Sequence, residues 1–307
     1  MIWNPRRRWQ PLLTRATLCT LIAGLPPAIA GWAADTPEPA MEKLVLADGE
    51  NGAKWNSAEA TMEPDATHAR SGKAMRFHVD VNHLTGEAAY PIGWPRTYTS
   101  VPAERQDWSK WDFLDFWVYS DTSRAELPNT PLGLIVRSPD RQQSFHAPLT
   151  ELKKGAWTHF RFPVAKMPVP TQCTAVQFAI AEADYAHGDV VDFWLDDLAL
   201  LRYAEPTLLG IRPQRQVIHA DATTLRVEVE LTGVDDGKTV EIAVALRRDG
   251  QTVASTTARL PSGIASVVLP LKATEPGPYE VEATVAGSPR TLGAAVRVIT
   301  SPWEVKP

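Results

Sequence analysis

The segment Val190–Arg202, VVDFWLDDLALLR, constrains the fold of this chain more than any other. Apolar and polar residues alternate at its start, and this alternation predicts a β-strand with one buried face. Asp196 and Asp197 then interrupt a strongly apolar run. Because an unpaired buried charge is costly, the carboxylate pair needs hydrogen bonds, a basic partner or a bound cation. We therefore expect a strand that closes a β domain and has its charge compensated locally.

The first 33 residues predict a secretory signal peptide. Arg6–Arg8 and Arg15 form a positive leader, and the apolar run Ala16–Ile29 follows it. Small residues then permit cleavage after Ala30 or after Ala33. We expect a periplasmic or secreted protein. No later segment approaches the roughly 18 consecutive apolar residues that a membrane span needs.

Charge and cysteine content exclude two further classes. Four of the 31 basic residues lie in the leader, so 27 basic residues remain against 36 acidic ones, a net charge of −9. This acidic balance argues against a nucleic-acid partner, which requires basic surface. Cys173 is the only cysteine after the leader, so an intramolecular disulfide is excluded and we expect a buried, inert thiol.

Aromatic residues divide the chain into two parts. Residues 41–205 hold seven tryptophans, all eight phenylalanines and five of the six tyrosines, whereas residues 206–300 hold Tyr279 alone. Such a contrast predicts two domains, at residues 41–203 and 206–300, with different cores.

The first part reads as short strands rich in β-branched and aromatic residues, separated by turn residues. About eight strands in about 160 residues predict a jelly-roll β-sandwich. The long connection Ala89–Lys110 is expected to run over the surface. The predicted strands are Leu44–Leu46, Ala74–Val81, Phe113–Ser120, Leu132–Arg137, Ser144–Ala147, Thr158–Phe162, Ala175–Ala181 and Val191–Leu201.

The second part predicts a smaller immunoglobulin-like β-sandwich. Tyr279 follows the turn Pro276–Pro278, as in the tyrosine corner of that fold, but the Cys–Trp–Cys core of antibody domains is absent from the sequence. The fold class is therefore all-β throughout. The predicted strands are Thr224–Leu231, Thr239–Arg247, Thr252–Leu260, Ala265–Leu269, Tyr279–Ala286 and Ala294–Ile299.

Five motifs across residues 44–202 carry a family resemblance. They are Leu44–Gly52 with Trp55, Ser71–Met75, Asp107–Val118, Gly155–Phe160 and Phe193–Leu198. Together they resemble the strands of galactose-binding-like jelly-roll modules. Many such modules are non-catalytic carbohydrate-binding domains attached to polysaccharide-degrading enzymes, so the resemblance implies a glycan ligand. It covers about half of the chain, and a fold does not by itself settle a function.

The same resemblance implies one structural Ca²⁺ where the first and last strands meet. The matching positions are Glu50, Asp196 and a backbone carbonyl around Lys73, and calcium prefers such oxygen ligands. Gly49 departs from the family pattern, which has an aromatic residue there. The alternative is that Asp196 and Asp197 cap turns or face solvent.

Carbohydrate sites combine aromatic rings with planar polar side chains. Alternation along Phe113–Ser120 predicts Leu114, Phe116 and Val118 in the core and the intervening side chains on an outer face. For the aromatic candidates, packing under loops is an equally good alternative; for Trp108, Trp111, Trp157 and Trp194, packing is the prediction. The candidate ligand residues are Trp94, Tyr98, Trp117, Tyr119, Arg137 and Gln177.

Catalysis has no motif to support it. Glu182 with Asp184 or Asp189 could supply a carboxylate pair for glycoside hydrolysis, but solvated acids are the default interpretation. His146, His159 and His187 lack neighbouring nucleophile or zinc motifs, and the sequence predicts no catalytic residue.

The sequence thus predicts an exported, non-catalytic protein that binds a poly- or oligosaccharide. The second domain is expected to act as a spacer or docking module toward a glycan-degrading enzyme or an envelope protein. Two alternatives stay open: an envelope assembly component that binds proteins through both sandwiches, and a small polysaccharide-degrading enzyme.

Overall fold

The computed structural model describes residues 39–84, 92–272 and 274–303, and the predicted signal peptide lies outside them. The described chain is all-β, as predicted, with five 3-10 helices in its connections: Ala103–Arg105, Arg141–Gln143, Val164–Lys166, Pro170–Gln172 and Glu182–Asp184. Its first eleven strands are β1 Met41–Ala47, β2 Trp55–Ala58, β3 Thr61–Asp65, β4 Ala74–Asp80, β5 Arg96–Ser100, β6 Phe113–Thr122, β7 Gly133–Arg137, β8 Phe145–Pro148, β9 Ala156–Pro163, β10 Ala175–Ala179 and β11 Val190–Tyr203.

These eleven strands form two antiparallel sheets packed as a β-sandwich. One sheet has six strands in the order β3-β4-β11-β6-β9, with β1 also paired to β11; the other has five in the order β2-β5-β10-β7-β8. Their inner faces share one hydrophobic core. Phe116 of β6 and Phe178 of β10 meet across it in a T-shaped contact, with ring centroids 5.3 Å apart.

The strand β11 contains a bulge at its two aspartates. Val191, Phe193 and Leu195 are buried as the alternation predicts, but the register with β6 shifts between Asp196 and Ala199. Asp197 takes a positive φ of 56°. A bulge inserts an extra residue into one strand and reorients the side chains that follow, so the apolar run after Asp197 also reaches the core.

The predicted surface excursion at Ala89–Lys110 is wrong for its described part, residues 92–110. Arg96–Ser100 forms β5, which lies between β2 and β10, and Trp108 is fully buried. The inward side chains of β5, Thr97 and Thr99, are buried threonines. Because their hydroxyls interrupt the apolar pattern, the sequence did not identify this strand.

The second β-sandwich comprises residues 207–299. Its strands form a three-stranded sheet, β12-β14-β17, and a five-stranded sheet, β13-β19-β18-β15-β16, around a separate hydrophobic core. The pairing of β13 with β19 is parallel. The strands are β12 Thr207–Pro213, β13 Val217–His219, β14 Thr224–Thr232, β15 Val240–Arg248, β16 Gln251–Leu260, β17 Gly263–Pro270, β18 Gly277–Val285 and β19 Thr291–Ile299.

Asp112 connects the two sandwiches. Its carboxylate accepts a hydrogen bond from the Tyr203 backbone N–H at 2.9 Å and another from the Thr232 hydroxyl at 2.7 Å. One side chain before β6 therefore holds both the end of β11 and the end of β14. Over the residues described, the chain has no helix with the length and apolar character of a membrane span.

Candidate functional site

The outer face of the five-stranded sheet brings together three of the predicted ligand residues. Tyr98 of β5 and Gln177 of β10 are direct cross-strand partners, and Gln177 also pairs with Ile135 of β7. Arg137 lies two residues beyond Ile135, so the period-two alternation of a strand places it on the same face. The neighbouring residues Val176 and Phe178 point into the core instead. Tyr98, Arg137 and Gln177 therefore form one continuous surface.

Gln177 lies at the centre of this surface and is only 1% exposed. Its side-chain oxygen Oε1 accepts a hydrogen bond from Nη2 of Arg137. The guanidinium carbon of Arg137 lies 4.4 Å from the ring centroid of Tyr98. Among the residues described, no acceptor faces the amide nitrogen Nε2 of Gln177. A buried donor without an acceptor is costly, and this nitrogen is shielded from solvent, so the amide contributes to the surface by holding Arg137 through Oε1.

Positive charge is concentrated around the same residues. Burial lowers the pKa of Arg137, the charges of Arg141 and Arg96 act in the same direction, and Tyr98 opposes them. A guanidinium stays protonated in proteins despite such a shift. The lowered pKa means that the charged form of Arg137 is less stable here than in water. A bound anion would stabilise that charged form.

Trp94 lies just before β5 and leaves its ring 44% exposed. The Trp94 backbone N–H donates to Oε2 of Glu59 at 2.6 Å, and the preceding Gly93 N–H donates to Oε2 of Glu182 at 2.8 Å. The guanidinium carbon of Arg96 lies 5.1 Å from the Trp94 ring centroid. Two carboxylates thus fix the backbone that presents an exposed ring beside the Tyr98 surface.

Trp117 and Tyr119 lie on the outer face of the other sheet. Leu114, Phe116 and Val118 are fully buried, as the alternation along β6 predicts. The six candidate residues are therefore divided between opposite faces of the sandwich.

Side chains of this protein already stack on both rings. The guanidinium carbon of Arg70 lies 3.7 Å from the Trp117 ring centroid, and His159 stacks on Trp117 at 4.4 Å. His68 stacks on Tyr119 at 4.1 Å. The segment between β3 and β4 thus lies over the rings, which makes them less available to a sugar than Tyr98 and Trp94.

The three predicted calcium ligands lie close to one another. Oε1 of Glu50 accepts a hydrogen bond from the Lys73 backbone N–H. Oδ2 of Asp196 accepts one from the Arg70 backbone N–H at 2.8 Å. A Cβ built on Gly49 would lie 2.0 Å from the Lys73 carbonyl oxygen, so only glycine permits this close approach. This contact gives a physical reason for the departure from the family pattern at residue 49.

Asp196 itself fits a cation ligand. It is 2% exposed, and burial raises its pKa, with the charges of Asp197 and Glu50 adding to that effect. The neighbouring Asp197 is compensated by Lys43, whose Nζ lies 2.6 Å from Oδ1. The hydrogen bonds to the Asp196 carboxylate come from backbone N–H groups. In the parts of the chain described, no group of three or more His, Cys, Asp or Glu side chains could hold a metal, so calcium would also need backbone oxygens.

The acids considered for catalysis hold loops in place. Glu182 is buried and accepts backbone N–H groups from Gly93 and from Asn82, the latter at 3.1 Å. Oδ2 of Asp189 accepts a hydrogen bond from the Ala186 N–H at 2.7 Å and lies 3.7 Å from Nε of Arg124. Both carboxylates are therefore engaged in structural hydrogen bonds or ion pairs.

No described protein family and no curated protein matches this sequence. Among solved structures, a β-1,2-glucanase from Parabacteroides distasonis aligns with 81% of this chain and 36% of its own, at 12% identity and a TM-score of 0.36. A β-glucuronidase from Ruminococcus gnavus aligns with 86% of this chain and 46% of its own, at 10% identity and a TM-score of 0.25.

A shorter match is the CARDB domain of a Pyrococcus furiosus protein, which aligns with 32% of this chain and 98% of its own, at 18% identity and a TM-score of 0.26. The chain thus spans less than half of the two enzymes. None of these alignments is close enough to show what this chain binds or which reaction, if any, it catalyses.

The sequence alone did not identify Arg96 as part of this surface, Arg141 as a charge that acts on Arg137, or Glu182 as the buried acid that holds Gly93. Arg96 precedes Tyr98 by two positions, a spacing that places both on one face once β5 is known to be a strand. The contacts of Glu182 with residues 82 and 93 depend on tertiary structure, and no local signal predicts them.

Proposed function

We propose that this protein binds carbohydrate without catalysing a reaction, on the outer face of the five-stranded sheet. The observation that carries the proposal is the guanidinium of Arg137, which Oε1 of Gln177 and the ring of Tyr98 hold in place on this face. A ring and two planar polar side chains then converge on one small area, as binding sites for small ligands require.

Each group has a role in this proposal. Tyr98 and the exposed ring of Trp94 offer apolar surfaces to the C–H face of a sugar. The free N–H groups of Arg137 donate hydrogen bonds to sugar oxygens, and the buried Gln177 amide fixes the guanidinium through Oε1. Because Arg137 is held by Tyr98 and by Gln177, little side-chain freedom is lost when a ligand binds.

The proposal includes one structural Ca²⁺ held by Glu50, Asp196 and backbone oxygen near Lys73. The ion would join the segment before β4 to β11 and would stabilise the first sandwich, since it offsets the charge of the buried Asp196. Asp196 belongs to β11 of the six-stranded sheet, and Glu50 and Lys73 lie in the connections before β2 and β4, so the ion would have no part in sugar binding on the other sheet.

Export to the periplasm or outside the cell belongs to the same proposal. Its support is the sequence of residues 1–33, with a basic leader and a small-residue cleavage site. A glycan-binding protein meets polysaccharide in those compartments. A neighbouring glycan-degrading enzyme or an envelope protein is the expected partner of the second sandwich.

Affinity electrophoresis of the mature protein through gels that contain neutral or acidic polysaccharides tests the main proposal. We expect retardation by at least one polysaccharide, and we expect Tyr98→Ala to weaken it about tenfold, in the range of one aromatic contact. Trp117→Ala is the matched control on the opposite sheet and should be retarded like the wild type. Loss of binding in Trp117→Ala alone, or no retention by any polysaccharide, would overturn the proposal.

A second candidate function, protein docking, rests on the outer side of β17. Ile264 and Val268 are 73% and 43% exposed, and their even spacing places both on one face of the strand. An envelope extract passed over the immobilised protein would test it. Capture of one protein that Ile264→Ser abolishes, together with no glycan binding, would favour this function.

A further inference from the structure

The cationic group at the centre of the five-stranded sheet, Arg137, offers a ligand only hydrogen-bond donors. Gln177 holds this side chain through Oε1, and the amide nitrogen of Gln177 is buried. A guanidinium has five N–H donors and no acceptor. A sugar hydroxyl can donate as well as accept, but a guanidinium can use only its acceptor oxygen. A group that consists of acceptors alone is better matched to it.

The charge of Arg137 has no carboxylate partner among the described residues. The Arg137 guanidinium contacts the Tyr98 ring and the Gln177 amide, both uncharged. Arg96 lies on the same face in register with Ala179. The charged arginines that act on Arg137 are Arg141 and Arg96, both positive, although the whole chain carries a net charge of −5.

Three carboxylates in loops of the first sandwich hold backbone groups. Glu182 accepts the N–H groups of Asn82 and Gly93, and Glu59 accepts that of Trp94. Asp140 accepts the Gln142 N–H at 3.0 Å. None of these three carboxylates is among the charges that act on Arg137.

We propose that the bound glycan is acidic, with a carboxylate or a sulfate ester of one sugar seated on Arg137 while a neighbouring sugar ring contacts Tyr98 or Trp94. This inference rests on the proposed carbohydrate function and narrows its ligand class. Paired N–H donors of a guanidinium match two oxygens of a carboxylate or a sulfate. A carboxylate and a sulfate ester offer a guanidinium only acceptor oxygens, and each carries the negative charge that would pair with Arg137.

Matched polysaccharide pairs test the inference by affinity electrophoresis at low salt. Polygalacturonate is compared with its methyl ester, and dextran sulfate with dextran. We expect at least one acidic member to bind tenfold or more tightly than its neutral partner, and the pair that responds distinguishes carboxylate from sulfate. Binding should weaken between 50 mM and 500 mM salt, since exposed ionic contacts are screened.

Two charge-matched variants separate a specific site from general attraction. Arg137→Gln should lose tenfold or more of the affinity for the acidic polysaccharide, and Arg137→Lys should recover part of it. Arg226→Gln removes the same charge from an exposed position on β14 of the second sandwich and should bind like the wild type. Circular dichroism melts of all three variants establish that they fold.

The outcomes are separable. Equal binding of acidic and neutral partners, with Tyr98→Ala still weakened, overturns the acidic ligand and leaves the carbohydrate proposal standing. An equal loss of affinity in Arg137→Gln and Arg226→Gln also overturns the acidic ligand, because the electrostatic attraction would then be non-specific. No retention of any polysaccharide overturns both proposals.

Discussion

Arg137 lies over the ring of Tyr98, with its guanidinium carbon 4.4 Å from the ring centroid, although the two residues belong to strands that are not neighbours. The strand between them, β10, contributes Gln177, which holds the same guanidinium through its side-chain oxygen. A cation–π contact of this kind adds about 0.5–2 kcal/mol. Three adjacent strands therefore hold one cationic group in a fixed place.

Replacement of Gln177 by methionine should separate stability from binding. The variant removes the buried Nε2, which has no protein acceptor in the described structure, but it also removes Oε1, the acceptor for Arg137. Because the two effects oppose each other, the free energy of unfolding should change by less than about 1 kcal/mol. The same variant should bind the glycan about tenfold more weakly. Urea denaturation and affinity electrophoresis measure the two effects. A loss of 2 kcal/mol or more in stability would show that the amide is a structural group instead.

Calcium should stabilise the first sandwich through Asp196. At a free concentration 100 times the dissociation constant, a bound ion adds about 2.7 kcal/mol, which corresponds to a rise in Tm on the order of 5–10 °C. Calorimetry with calcium and then with EDTA measures it. Asp196→Ala should abolish the response, whereas Asp235→Ala, at an exposed acid of the second sandwich, should retain it. A wild-type Tm indifferent to both reagents would contradict the calcium proposal.

Much of the fold could be predicted from strand periodicity, and the exceptions have physical causes. The eight predicted strands of the first sandwich are present, because one apolar face per strand leaves a period-two signal in the sequence. β5 was missed because its inward residues are Thr97 and Thr99. β2 and β3 are short strands at the edges of their sheets, with no more than intermediate burial, so they have no apolar face to detect.

The candidate site could be predicted only in part. The outward positions of Arg137 and Gln177 follow from alternation within two predicted strands, whereas Tyr98 belongs to β5, which was predicted as part of a surface connection. Which strands share a sheet does not follow from local sequence, since it depends on long-range pairing. For this reason Trp117 was grouped with residues that lie on the opposite face.

The thiol of Cys173 should be unreactive in the native protein and should make stability fall at alkaline pH. Burial raises its pKa from 9.0 to about 12. The unfolded chain therefore loses this proton first, and the free energy of unfolding should fall by up to about 1.4 kcal/mol per pH unit above pH 9.

Two measurements check the thiol. Ellman's reagent at pH 8 should react with the mature protein only after denaturant is added. Cys173→Ala should remove this part of the slope of unfolding free energy between pH 9 and 11. Rapid native labelling, or an unchanged slope in the variant, would show that the thiol is accessible.

Tyr279 should stabilise the second sandwich through its hydroxyl. The hydroxyl donates to the Glu275 carbonyl at 2.8 Å and lies 3.3 Å from Nη1 of Arg248. Because Tyr279→Phe keeps the buried ring and removes these contacts, it should cost about 1 kcal/mol. Calorimetry of the full chain measures the loss. A decrease in the free energy of unfolding of less than about 0.3 kcal/mol would mean that water replaces the hydroxyl contacts without cost.

Hydroxyl-radical footprinting of the mature protein with a saturating bound polysaccharide tests whether the outer face of the five-stranded sheet binds the glycan. We expect the glycan to protect Tyr98 and Trp94 and to lower labelling of peptides that span 96–100, 133–137 and 175–179. Trp117 and Tyr119 should be labelled equally with and without the glycan. Protection of Trp117 and Tyr119 with Tyr98 unchanged would place the ligand on the opposite sheet and would overturn the proposed site.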